Sequence, residues 1–220
     1  MSETIDARYT FAEEMANGLT HAFGIVLSIA GLFVLMAAAS LHGAGVSDLA
    51  SCAIYGTTLI VLYTSSTAYH FVSRPRAKHL LRILDHLAIF LLIAGTYTPF
   101  VLIGLRGAWG WTLFAIVWSL AAIGTLIELS QASRYRRVMV GLYIAMGWVG
   151  LIAIKPLTEA IAPAGLWLLF GGGASYTLGV IFYRWHELRY HHAIWHLFVL
   201  GGSVLQYLSV LYYVIPIRAA

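Results

Sequence analysis

The chain has 220 residues, 60% of them hydrophobic and only 10% charged, with a formal net charge of +4 and a mean hydropathy of +0.83. A soluble domain carries about 25% charged residues and about 45–50% apolar ones, so this chain cannot clothe a water-soluble globule in polar surface. The same composition excludes a disordered tail and a collagen-like fibre. The single cysteine, Cys52, excludes a disulfide framework and a cysteine-rich metal site. A pI of 9.3 reads as membrane topology rather than nucleic-acid binding.

A helix needs about 20 mostly apolar residues to cross the hydrocarbon core. Seven stretches satisfy that, at about 19–41, 49–71, 81–104, 109–128, 138–157, 164–184 and 194–215. The polar, mildly acidic start (Glu3, Asp6, Glu13, Glu14) does not look like a signal peptide, so the first span is expected to be retained. The apolar runs are continuous rather than alternating, which argues against a β-barrel. The expectation is an all-α, seven-transmembrane helix bundle forming one integral membrane domain over residues 1–220. Ten of the 13 Lys and Arg fall in the N-terminal segment and the loops after spans 2, 4 and 6, against Arg106, Lys155 and Arg218 on the other side. The positive-inside rule then puts the N-terminus in the cytoplasm and the C-terminus outside. Gly171, Gly172, Gly173 and Gly179 are expected to let span 6 approach a neighbour closely. The Gly95-Thr96-Tyr97-Thr98-Pro99 stretch is expected to kink span 3.

Ionisable groups inside membrane helices are costly and therefore candidates for function. Asp85 lies about one turn into span 3, ahead of an apolar run. His70 closes span 2 in Ser66-x-x-x-His70, and His192 and His196 open span 7. A spacing of four puts two imidazoles on one helical face, where both can reach one metal ion. Given the expected topology, His70, Asp85, His192 and His196 all fall in the cytoplasmic leaflet at similar heights, although they come from three helices. Three histidines with an open fourth position make the ligand set of a catalytic-type zinc site. Imidazole also suits copper, iron or nickel, and zinc is the preference. Asp85 is then placed to act as general base toward a water at the open position. Ser66, one turn before His70, is a candidate to orient Asp85 or a ligand imidazole, or else bonds back to its own helix. His42, His79, His186 and His191 read as solvated groups in loops or at span ends. His86 points about 100° away from its neighbour Asp85 on a helix. Glu14, Asn17, Thr20 and His21 form a polar cluster at the start of span 1, read as a helix start and a hydrogen-bonded structural plug.

On these residues the sequence resembles the hemolysin III family, the bacterial branch of the progestin and adipoQ receptor superfamily. The matching pieces, in order, are Glu14-x-x-Asn17-x-x-Thr20-His21-x-x-Gly24, Ser66-x-x-x-His70, Asp85 with the downstream Gly95…Pro99, and His192-x-x-x-His196. The resemblance implies seven helices with an inside N-terminus in the bacterial inner membrane. It also implies zinc on His70, His192 and His196, with Asp85 beside the metal's water. Through distant kinship with alkaline ceramidases it implies lipid amide or ester hydrolysis, with membrane lipids as substrate or ligand and no nucleic-acid partner. Two other functions are compatible with the same residues: a non-catalytic sensor or receptor-like regulator of membrane state with structural zinc, and a membrane-lysing protein. An ion transporter fits least, because Asp85 sits near one face. Oligomeric state is left open.

Overall fold

The computed structural model describes residues 9–131 and 136–219; Glu3 and Asp6 of the acidic start, and Arg8 and Arg134 among the basic residues counted above, lie outside them. Among the described residues, seven helices are long and apolar enough to cross a membrane, and there is no strand. They are α1 (Phe11–Leu41), α2 (Val46–Phe71), α3 (Pro75–Pro99) with a π-helical turn over Phe100–Leu105, and α4 (Gly107–Gln131). The fifth crossing is α5 (Arg136–Gly147), a 3-10 turn (Val149–Ala153) and α6 (Ile154–Ala160). Then come α7 (Pro163–Arg184) and α8 (His191–Ser209), the latter continued by a π-helical turn over Val210–Val214 and a 3-10 turn over Ile215–Ala219.

Local chemistry sets the helix ends. α1 begins eight residues before the apolar stretch because Thr10 and Glu13 form a capping box. Thr10 Oγ1 accepts the Glu13 N–H at 3.3 Å, and Glu13 Oε2 accepts the Thr10 N–H at 2.8 Å. Two of the unpaired donors at the helix start are thereby satisfied. Pro75 and Pro163 occupy the first turns of α3 and α7, where their fixed φ suits a helix start and no N–H is missed. At its far end, α3 passes through Pro99 into the π-helical turn and stops at Arg106 and Gly107, both at positive φ.

The fifth crossing is not the continuous helix its hydropathy suggests. It opens after Gly147, and Tyr97 of α3 repairs the break: its hydroxyl donates to the Gly147 carbonyl at 2.7 Å and accepts the Gly150 N–H at 2.8 Å. Backbone groups freed inside a bilayer must find such partners.

Two of the four span-6 glycines are contact points with α8. A Cβ on Gly172 would stand 2.9 Å from the Gly202 carbonyl oxygen, and one on Gly179 would stand 2.6 Å from the Trp195 ring. Gly171 and Gly173 have no such close neighbour. Gly95 of α3 lies hard against Thr58 of α2. Small residues here allow the close helix approach that packing in lipid depends on. The outward faces are apolar, with Phe33, Leu126, Ile152 and Trp167 exposed, a surface suited to acyl chains rather than water. The buried histidines His21, His70, His192 and His196 gather inside the bundle, where the start of α1, the end of α2 and the start of α8 meet.

Candidate metal centre

His70 sits in the last turn of α2, and His192 and His196 occupy the first two turns of α8. α8 can begin there because Tyr190 adopts a left-handed conformation, φ 59°, turning the chain back into the bundle. The three imidazoles are buried. They converge so that one nitrogen from each lies within 4.8 Å of the others. Ring centroids are 5.2 Å apart for His70–His192 and His70–His196, and 4.5 Å for His192–His196.

Hydrogen bonding decides which nitrogen is available. His70 Nδ1 is 2.6 Å from Glu14 Oε2. An ionised carboxylate only accepts, so Nδ1 carries the proton, and in the neutral ring Nε2 carries the lone pair. Nε2 is buried with no hydrogen-bond partner. His196 Nδ1 lies 3.0 Å from the Asn17 carbonyl and 3.2 Å from Thr20 Oγ1. The Thr20 hydroxyl is itself placed to donate to Asn17 O and Ala16 O. His196 Nδ1–H therefore donates outward and leaves Nε2 as the lone-pair nitrogen. His192 packs between the rings of Tyr9 and Tyr183, at 5.3 and 5.9 Å.

The donor set fits zinc. Zinc–nitrogen bonds of about 2.0–2.1 Å in tetrahedral geometry put donors about 3.4 Å apart, so modest side-chain rotations close a set already within 4.8 Å. A buried imidazole nitrogen without a partner is costly, and a cation is the group that satisfies a lone pair there.

Asp85 of α3 lies beside Ser66, His70 and His86 and lines a cavity of about 160 Å³ shared with Ser66, His192 and His196. Ser66 Oγ is buried and faces Asp85 without reaching hydrogen-bond geometry; it does not bond back to its own helix. The cavity runs along apolar side chains such as Leu92, Ile93 and Val199 to Gln206. A second cavity of about 50 Å³, sharing Thr96, Tyr97 and Trp148, continues toward Phe100 and Leu105.

The polar cluster on α1 is closer to the three histidines than a plug requires. Glu14 bonds His70, while Asn17 and Thr20 bond His196. His21 stacks flat on His196, with ring centroids 3.6 Å apart and an interplanar angle of 10°. His191, expected in solvent, is buried, and its Nδ1 lies 3.1 Å from the Phe182 carbonyl. His86 meets Glu128 of α4, Nδ1 to Oε1 at 2.8 Å, and lines the same cavity as Asp85. Glu128 is only 2% exposed, and its signal in the sequence, a lone carboxylate in the apolar run of span 4, is the same one that marks Asp85. Lys78, one of the ten basic residues on the expected cytoplasmic side, donates to Glu14 Oε1 at 2.7 Å.

Fold and site together define a seven-helix membrane protein with an inward-facing trio of histidines. The family model described as Haemolysin-III related matches residues 9–207. Hemolysin-3 of Bacillus cereus is 48% identical over 204 residues, which is 93% of each chain. The Hemolysin-3 homolog of Bacillus subtilis (strain 168) is 44% identical over 209 residues, 95% of this chain and 98% of that one. The human monocyte to macrophage differentiation factor is 30% identical over 209 residues, 91% of this chain and 84% of that one. The chain belongs to the haemolysin-III related family and is an integral, multi-pass membrane protein.

Proposed function

We propose that the protein is a zinc-dependent hydrolase of lipid amides or esters, working in the cytoplasmic leaflet of the bacterial inner membrane with its N-terminus inside. The observation that carries this reading is the convergence of three buried imidazoles on a cavity that holds a carboxylate and continues along apolar walls. His70, His192 and His196 would hold the ion. A bound zinc supplies Lewis-acid polarisation of the carbonyl and makes water acidic enough to act near neutral pH. Asp85 takes the proton from the attacking water and returns it to the departing amine or alcohol. The apolar length of the cavity holds the acyl chain and keeps bulk water from it. The inside N-terminus is supported by the ten-to-three distribution of basic residues. Lysis, the activity in the Bacillus relatives' names, follows in this reading from altered bilayer composition.

The test is fatty-acid release from vesicles containing mixed lipid amides and esters. Purified protein should release free fatty acid, lose that activity to a strong chelator, and regain it with added zinc. Release that survives complete metal removal, or no release from any lipid of either class, would contradict the proposal.

A further inference from the structure

The α1 motif contributes no proposed metal ligand, yet its carboxylates reach both histidine-bearing helices. Glu13 Oε1 accepts the Tyr190 N–H at 3.2 Å, immediately before the turn into α8. Glu14 goes to His70 and Lys78. We infer that Glu14 is a positioning residue for the metal centre: it holds the Nδ1 proton of His70, and Lys78 anchors it in that pose. The inference rests on the zinc reading above.

The geometry forms a closed circuit. Glu14 Oε2 accepts a hydrogen bond from His70 Nδ1–H at 2.6 Å, and Glu14 Oε1 accepts one from Lys78 Nζ at 2.7 Å. Lys78 Nζ also lies 3.3 Å from the Tyr69 carbonyl and 3.5 Å from the Val72 carbonyl, at the end of the helix that carries His70. Both carboxylate oxygens are therefore committed, and the lysine that fixes one of them is fixed in turn to the backbone beside the ligand. A carboxylate on the outer nitrogen sets the imidazole's tautomer and plane and makes the inner nitrogen a better donor. Charge-assisted bonds of this kind are roughly twice as strong as neutral ones. His196, by contrast, is held through neutral acceptors, Asn17 O and Thr20 Oγ1. Of these two histidines, His70 is the one whose donor strength is under the control of a charge.

A Glu14–Lys78 ion pair that merely ties α1 to α3 would leave metal affinity alone. The experiment therefore compares zinc affinity, by competition with a chromophoric chelator, in the wild type and in Glu14→Gln, Glu14→Ala and Lys78→Met. The visible spectrum of the cobalt(II)-substituted full-length protein and the apo-protein melting temperature are read alongside. Glu14→Ala should weaken zinc about 10–100-fold and shift the cobalt bands. Glu14→Gln should fall between it and wild type, because its carbonyl still accepts the Nδ1 proton without the charge. Lys78→Met should have a smaller effect in the same direction. Should Glu14→Ala fail to fold, Glu14→Gln decides. Glutamate variants that bind zinc within twofold of a zinc-binding wild type overturn this inference alone; a wild type that binds neither zinc nor cobalt overturns it together with the zinc reading.

Discussion

Replacing His196 by alanine is expected to abolish stoichiometric metal binding while leaving the seven helices in place. His196 is almost fully buried, stacked on His21 and hydrogen-bonded to Asn17 and Thr20, so its ring is fixed in place and alanine removes one of the three converging nitrogens. Structural zinc sites bind with about 10–16 kcal/mol. Losing one of three protein ligands from a site of comparable strength costs at least about 3 kcal/mol, a more than hundredfold loss of affinity. Zinc should then no longer raise the melting temperature, because the stabilisation conferred by a ligand vanishes with its affinity. The exposed His79 gives the control: His79→Ala should bind like wild type. Wild-type zinc content and melting shift in His196→Ala, measured on detergent-purified protein, would remove this residue from the site.

Asp85→Asn is expected to separate binding from chemistry. The amide keeps the shape and much of the hydrogen bonding of the carboxylate but cannot accept a proton as a base. His70 is held by Glu14, and His196 by Asn17 and Thr20, so zinc content should stay at the wild-type level. Lipid turnover should fall about 10²–10⁴-fold, the range that a positioned general base contributes. Undiminished turnover would show that Asp85 is not the base. The same variant addresses the sensing alternative, since a purely structural metal leaves any phenotype of the protein indifferent to this change.

The spans could be read from sequence because the bilayer demands about 20 apolar residues per crossing, whatever they pack against. What could not be read from hydropathy were features carried by polar or distant groups. The eight-residue advance of α1 depends on the Thr10–Glu13 capping box, which lies in a polar stretch. The opening after Gly147 is bridged by the hydroxyl of Tyr97, 50 residues earlier. The histidines were visible through a spacing of four on one helix and a shared depth across two. Glu14 was visible as a polar residue but not as a partner of His70, because the two are 56 positions apart and no periodicity links them. Glu128 belonged to the legible part: it interrupts the apolar run from Leu126 to Leu129 much as Asp85 interrupts span 3. Its pairing with His86 is tertiary information.

The central claim is that His70, His192 and His196 share one cation. X-ray absorption at the zinc edge, together with metal analysis of the purified wild-type protein, examines that claim most directly. The account predicts about one zinc per chain, with the multiple-scattering signature of three imidazoles at bond lengths of about 2.0–2.1 Å. Protein that is folded and replete with added zinc yet retains none, or whose zinc shows no imidazole scattering, would contradict it.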